Sequence, residues 1–350
     1  MDIQTKRKIY ILMLVIIVFL TACSNKDTSD LPKTQESQGE TKEKETIEED
    51  HKNPLIGKTI LTIDDEDISY SETILYLKYI QSYYENTFGE KIWDYNLGDD
   101  LTIGELAKQD IIDTIIERKI TKKQWMDYEV EITEDDEDFL KEEVNTYLKK
   151  LTKEDKEYYG ITEEVVYQFF FDNLMAERVY DAATMSVDTQ VSDEEAKQIT
   201  IQYLLVATTN VDNEGNRVSI SEEDKKAAYA KAQDLLSQAT SADDFYSFAK
   251  SNTDSAEVEK VIGKKDVEPA FEKAAFALKS GELSSIVEGD QGYLIIYCVE
   301  DYNEDATLDK KEKIIDERQS KMFQEVFEEW KKEVKVKLNN KLWDDIQFDN

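Results

Sequence analysis

The sequence predicts an α+β protein: a mostly helical body, split along the chain, with a compact strand-and-helix domain inserted in it. Three observations lead there. Apolar residues recur at three- and four-residue spacing through long stretches between residues 68 and 184, and again over 309–340. Between those stretches the chain carries short β-rich runs separated by turn residues and short helices. The last helical stretch is heavily charged with a single apolar stripe, so it wants a partner, and packing back on the first helices supplies one.

The N-terminus reads as a targeting segment. Lys6, Arg7 and Lys8 precede an apolar run over residues 9–20, and Leu20-Thr21-Ala22-Cys23 follows. A basic start, a short apolar core and small residues make a secretory signal of residues 1–22, too short for a comfortable membrane span. Residues 23–54 are polar and charged with almost nothing apolar, so they form a solvated tether.

Composition narrows the function. Acidic residues outnumber basic ones 78 to 43, a formal charge of −35. Such a surface repels phosphate backbones and excludes a nucleic-acid partner. Solubility is its plain meaning, and it also suits a cation-rich bacterial wall. The single histidine, His51, lies in the tether and takes no role. A His/Cys metal site and a Ser–His or Cys–His nucleophile are therefore excluded, and no metal or cofactor is expected.

Within the body, residues 59–63 alternate as a strand and Asp64-Asp65 turns the chain. Helices are expected over 68–88, 102–128, 133–151 and 162–184, the last two opening on Thr-Glu capping signals. Phe169, Phe170 and Phe171 point in several directions, which fits core packing first and an apolar groove second. In the inserted part, a strand spans 199–207 and helices span 222–238 and 243–250. Pro269 can open a helix without a lost N–H, and Gly281 can end it. Ile286-Val287 is a short strand and 293–299 a central one. Leu342, Trp343 and Ile346 would complete the contact of the last helix with the first ones.

Several of these motifs resemble known families. Leu20-Thr21-Ala22-Cys23 resembles the bacterial lipobox, which implies a diacylated Cys23 and a body held outside the cytoplasmic membrane. With Cys23 taken by lipid, Cys298 has no disulfide partner. I-L-T-I-D-D-E-D-I-S-Y-S-E and L-A-K-Q-D-I-I-D-T-I-I-E-R-K-I are similar to the N-terminal module of SurA- and PrsA-type chaperones, although Asp65 stands where glycine is usual. A-K-A-Q-D-L-L, D-F-Y-S-F-A-K and the run from Asp266 to Ile296 resemble a parvulin-type (PpiC, rotamase) prolyl isomerase domain. The resemblance implies a chaperone module at 55–190, a parvulin-like domain of about four antiparallel-type strands with flanking helices at 191–303, and a returning C-terminal helix at 304–350.

Prolyl isomerisation needs no acid, base or nucleophile. The barrier of roughly 18–20 kcal/mol comes from amide resonance, so a catalyst desolvates the amide and holds it twisted. The family uses an apolar proline pocket beside two histidines and a Cys or Asp. By resemblance, Tyr203 and Leu294 stand where the histidines would be, and Asp254 and Ser255 fall at the Cys/Asp position. Phe271 keeps the pocket aromatic and Val267 takes the place of a Met or Leu. The family's Gly-Gly-Asp-Leu-Gly turn is replaced by V-E-K-V-I-G-K-K.

The resemblance therefore implies a lipid-anchored foldase of a Gram-positive bacterium. Its partners would be unfolded or nascent secreted polypeptides and, through Cys23, the outer face of the cytoplasmic membrane. A homodimeric cradle is left open. The alternatives are an active isomerase built on Tyr203, Asp254 and Ser255, and, less favoured, a solute-binding lipoprotein. The latter would be two lobes of repeated βαβ units, which these long charged helices do not offer.

Overall fold

The computed structural model describes residues 53–98, 101–211 and 217–348. The secretory signal, Cys23, His51 and the tether as far as residue 52 lie outside the described residues. The described residues separate into two compact units, divided between Ser186 and Val187 and again between Gln319 and Ser320, with the first and last parts forming one unit and the middle part the other.

The first unit opens with β1 (Thr59–Ile63) and β2 (Glu66–Ser69), an antiparallel hairpin turned by Asp64 at φ 56°. The following helix, α1 (Tyr70–Phe88), was expected from residue 68. Pairing with β1 holds Ile68 in the strand, and Ser69 becomes the N-cap, its hydroxyl accepting from the Glu72 N–H at 3.2 Å. A small hairpin of β3 (Asn96–Gly98) and β4 (Leu101–Thr102) precedes α2 (Ile103–Lys123). A capping box of Thr102 and Glu105 starts α2, which gives way to a 3₁₀ turn at Gln124–Met126 rather than running to 128. Then come α3 (Glu134–Lys150), α4 (Lys153–Tyr159) and α5 (Glu163–Thr184). The short α4, not anticipated, is framed by its own capping box at Thr152 and by left-handed Gly160.

The expected last helix is corrected at both ends. It spans Glu304–Lys332, after which Val336–Leu338 forms a strand instead of continuing helical to 340. The cause is tertiary: Val334-Lys335-Val336-Lys337-Leu338 alternates at period two, and β1 offers an unpaired edge. Leu338 lies opposite Leu61 and Val336 opposite Ile63. A final turn of helix (Asn340–Asp344) places Trp343 in the same buried cluster as Ile60, Ile111 and Phe169, joined by Ile346. The aromatic triplet divides: Phe169 is buried, Phe170 packs at its edge, and Phe171 stacks on Tyr167.

A buried ionic cluster ties the hairpin to the helices. Lys119 of α2, 1 % exposed, pairs with Asp172 of α5, with Glu72 of α1 at 2.6 Å and with Glu66 of β2 at 2.8 Å. Lys122 adds a second cation, 2.9 Å from Asp172 and 3.2 Å from Glu66. Burial opposes the Lys119 charge, but the Glu72 and Asp172 carboxylates outweigh it and raise its pKa. Burial also raises the Glu72 carboxyl, against the pull of Lys119.

In the second unit, the short helix α6 (Asp193–Ala196) leads into β5 (Ile199–Ala207), which pairs antiparallel with β10 (Gly292–Glu300). A small hairpin, β6 (Thr209–Val211) and β7 (Arg217–Ser219), follows β5. The main sheet runs β8 (Glu259–Ile262), β5, β10, β9 (Val287–Gly289), so the two long strands are central. This is the expected fold class: a mostly helical chain with a four-stranded antiparallel sheet in its smaller domain. Edge strand β8 occupies the stretch read as a shortened turn.

Alternation along β5 sorts its residues to two cores. Leu204 and Val206 face α7 (Glu222–Ala239) and α8 (Phe245–Asn252), meeting Leu235, Phe245 and Ala249. Ile201, Tyr203 and Leu205 face the other way, toward α9 (Pro269–Ala275). Pro269 does open α9, but the helix stops at Ala275, before Gly281. Gly281, at φ 85°, serves the turn beyond, where its N–H donates to the Cys298 carbonyl at 2.8 Å.

Candidate functional site

The face of the sheet toward α9 collects most of the residues singled out in the sequence. Tyr203 points there from β5 because it is in phase with Ile201 and Leu205. Leu294 lies on β10 directly opposite Leu205, and Ile296 opposite Tyr203. Phe271 comes down from the first turns of α9, and its ring meets Tyr203 edge-on at 5.3 Å between centroids. Val267, just ahead of the helix, packs against this cluster half-buried, as does Val287 of β9.

The polar side is built by the turn after α8. The Thr253 hydroxyl accepts from the Leu205 N–H at 2.9 Å and from the Ser255 N–H at 3.0 Å, which pins the turn to β5. Ser255 Oγ then lies 3.2 Å from the Tyr203 hydroxyl. Thr253 was not assigned a role from sequence, although a Thr-Asp-Ser triplet is a hydroxyl-turn signal.

Asp254 is engaged elsewhere. Its N–H donates to the Leu205 carbonyl, and its carboxylate accepts from the Ala207 N–H, both at 2.9 Å, with Lys231 Nζ 3.8 Å away. The structure thus brings together Tyr203, Ser255, Phe271, Leu294 and Val267, and places the Asp254 carboxylate at the end of β5. Ser255 also lines a polar hollow with Tyr246, Lys250, Glu257 and Glu259.

Exposure describes what this face offers. Tyr203 is 9 % exposed, Phe271 7 % and Leu294 5 %, so these side chains form a filled floor while Val267 and Val287 form its rim. The chemistry available is apolar contact plus a hydroxyl pair able to donate and accept. Among the described residues no group of three or more His, Cys, Asp or Glu is placed to hold a metal. No helix among them is long and apolar enough to cross a membrane.

Residues 205–300 of the second unit match the model of the rotamase family, the PPIC-type PPIase domain. Over a longer stretch the chain is similar to foldase protein PrsA. It is 26 % identical over 289 residues to foldase protein PrsA of Clostridium botulinum strain Langeland, covering 76 % of this chain and 82 % of that one. The strain Okra protein of the same name is 25 % identical over 300 residues, with the same coverage. Among solved structures, peptidylprolyl isomerase PrsA from Bacillus cereus aligns over 80 % of this chain and 91 % of its own, at 16 % identity and a TM-score of 0.32.

Proposed function

We propose that this protein is an extracytoplasmic foldase, held at the outer face of the membrane by lipid on Cys23, that grips unfolded secreted chains and assists their folding without a cofactor. Support comes from homology to PrsA foldases across three quarters of the chain, 76 %. The single observation that carries the site is the Tyr203–Phe271 aromatic floor, with the Tyr203 hydroxyl turned to Ser255. An extended peptide laid between Val267 and Val287 would bury an apolar or prolyl side chain on that floor. Burial there is worth on the order of 1.5–3 kcal/mol per large side chain, enough for transient grip and release.

The hydroxyl pair supports a second reading, an active prolyl isomerase. Desolvating the amide against Phe271 and Leu294 while a hydroxyl bonds the twisted form would lower the rotation barrier. The test measures isomerisation of a short Ala-Glu-Pro-Phe peptide beside suppression of aggregation of an unfolded protein. Suppression without acceleration above the spontaneous rate is the expected outcome for a gripping domain. Acceleration that disappears in Tyr203→Phe would establish the enzyme instead. Failure of both assays would overturn the foldase reading.

A further inference from the structure

Glu268 stands at the N-cap position of α9, yet its side chain caps nothing on that helix. The carboxylate crosses instead to the turn between β9 and β10, where it accepts from the Asp290 N–H at 2.7 Å. Its other oxygen fills the space above Gly289, so a Cβ added there would fall on the carboxylate. The same Cβ would come 3.1 Å from Leu294 Cδ1, so Gly289 touches both Glu268 and the floor of the site. The turn is fixed from its far side too: the Thr208 N–H donates to the Gln291 carbonyl at 2.8 Å, and Gly292 lies against the Val206 carbonyl.

These contacts join two walls. Val267 and Phe271 flank Glu268 on one side of the site, while Val287 and Leu294 flank the turn on the other. A carboxylate–amide bond is charge-assisted, and no other side-chain hydrogen bond among the described residues links α9's start to that turn. We propose that Glu268 is a positioning residue: it holds the Val267–Phe271 wall at fixed spacing from the Val287–Leu294 wall and so limits the site to compact apolar side chains, proline above all. This rests on the reading of that face as a peptide cleft.

The test compares binding of two labelled extended peptides, identical except for proline or tryptophan at the centre, to the full-chain protein. The wild type is expected to prefer proline. Glu268→Ala is expected to reduce that preference about tenfold, because a loosened wall no longer rejects the bulky ring. Gly289→Ala displaces the carboxylate and should do the same. Glu268→Gln keeps an acceptor oxygen and should stay within about threefold of wild type, a rescue that a general loss of packing would not show. Wild-type preference in Glu268→Ala, or a loss in Glu268→Gln equal to that in the alanine variant, would overturn the proposal. Phe271→Ala separates it from the underlying reading. If binding falls in Phe271→Ala while Glu268→Ala changes nothing, only the positioning role fails; if Phe271→Ala binds as wild type, the cleft and the role fall together.

Discussion

Replacing Lys119 by methionine removes the central charge of the cluster that joins β2, α1, α2 and α5 while keeping most of the side-chain volume. Carboxylates outnumber ammonium groups three to two before the change, and three to one after it. Asp172 keeps Lys122 at 2.9 Å and Gln168, which donates to it at 2.6 Å. Glu72, its carboxyl already raised by burial, loses its ion-pair partner. Breaking a buried pair by removing one partner costs about 3–5 kcal/mol, and the surviving contacts of Asp172 place this case near the lower end, about 3 kcal/mol. The sign with pH follows from Glu72. Without Lys119, which pulls it down, the Glu72 carboxyl rises further above its ordinary value, and a raised carboxyl contributes stability at low pH that is lost as pH rises through the folded value. The deficit should therefore be largest near pH 8 and shrink toward pH 5. Urea unfolding of both proteins, followed by circular dichroism across that range, measures it. A deficit below about 1 kcal/mol at neutral pH, or one that grows on acidification, would refute the reasoning.

Three further outcomes are expected. Gly160→Ala should cost about 2 kcal/mol in urea unfolding: φ is 65° there, and the new Cβ would meet Ser71 Oγ at 2.8 Å and Ile56 Cγ2 at 2.9 Å. Trp343→Ala should cost about 3–5 kcal/mol, because the ring is 5 % exposed in the first unit's core, with Lys108 Nζ over it at 5.0 Å. Arg178→Ala should cost only about 1 kcal/mol, since its guanidinium is half in solvent, 2.5 Å from Asp136. Burial works to raise the Asp136 carboxyl, but the bonds from Arg178 and Thr133 outweigh it and hold it low. That stability is present above the ordinary carboxylate range and is lost on acidification, so the Arg178→Ala difference should vanish at low pH, as unfolding curves would show.

What the sequence made legible was what local chemistry decides. The β5 bounds, residues 199–207, follow from a run rich in β-branched, aromatic and apolar residues that ends at Thr208-Thr209-Asn210, and the starts of α2, α3 and α5 follow from Thr caps. What it hid was decided by partners outside the segment itself, near or distant in the chain. Glu66–Ser69 became a strand because β1 pairs with it, and Val336–Leu338 because the other edge of β1 was free. The edge strand β8 lacks alternation strong enough to announce itself; pairing with β5 creates it. The same holds for the site. Tyr203, Phe271 and Leu294 could be placed by motif, yet nothing local says that Asp254 would be spent on the Ala207 N–H. Nor does any spacing signal the Lys119–Asp172 pair, 53 residues apart, or the reach of Glu268 to Asp290.

The most direct test of the central claim is light scattering from a reduced, unfolding protein mixed with increasing amounts of this chain, wild type and Phe271→Ala in parallel. The account predicts that the wild type suppresses scattering in proportion to its concentration, and that Phe271→Ala, with its circular dichroism unchanged, suppresses it several-fold less. Scattering unaffected by the wild type would contradict the foldase reading. Equal suppression by both proteins would contradict the place assigned to the Tyr203–Phe271 floor.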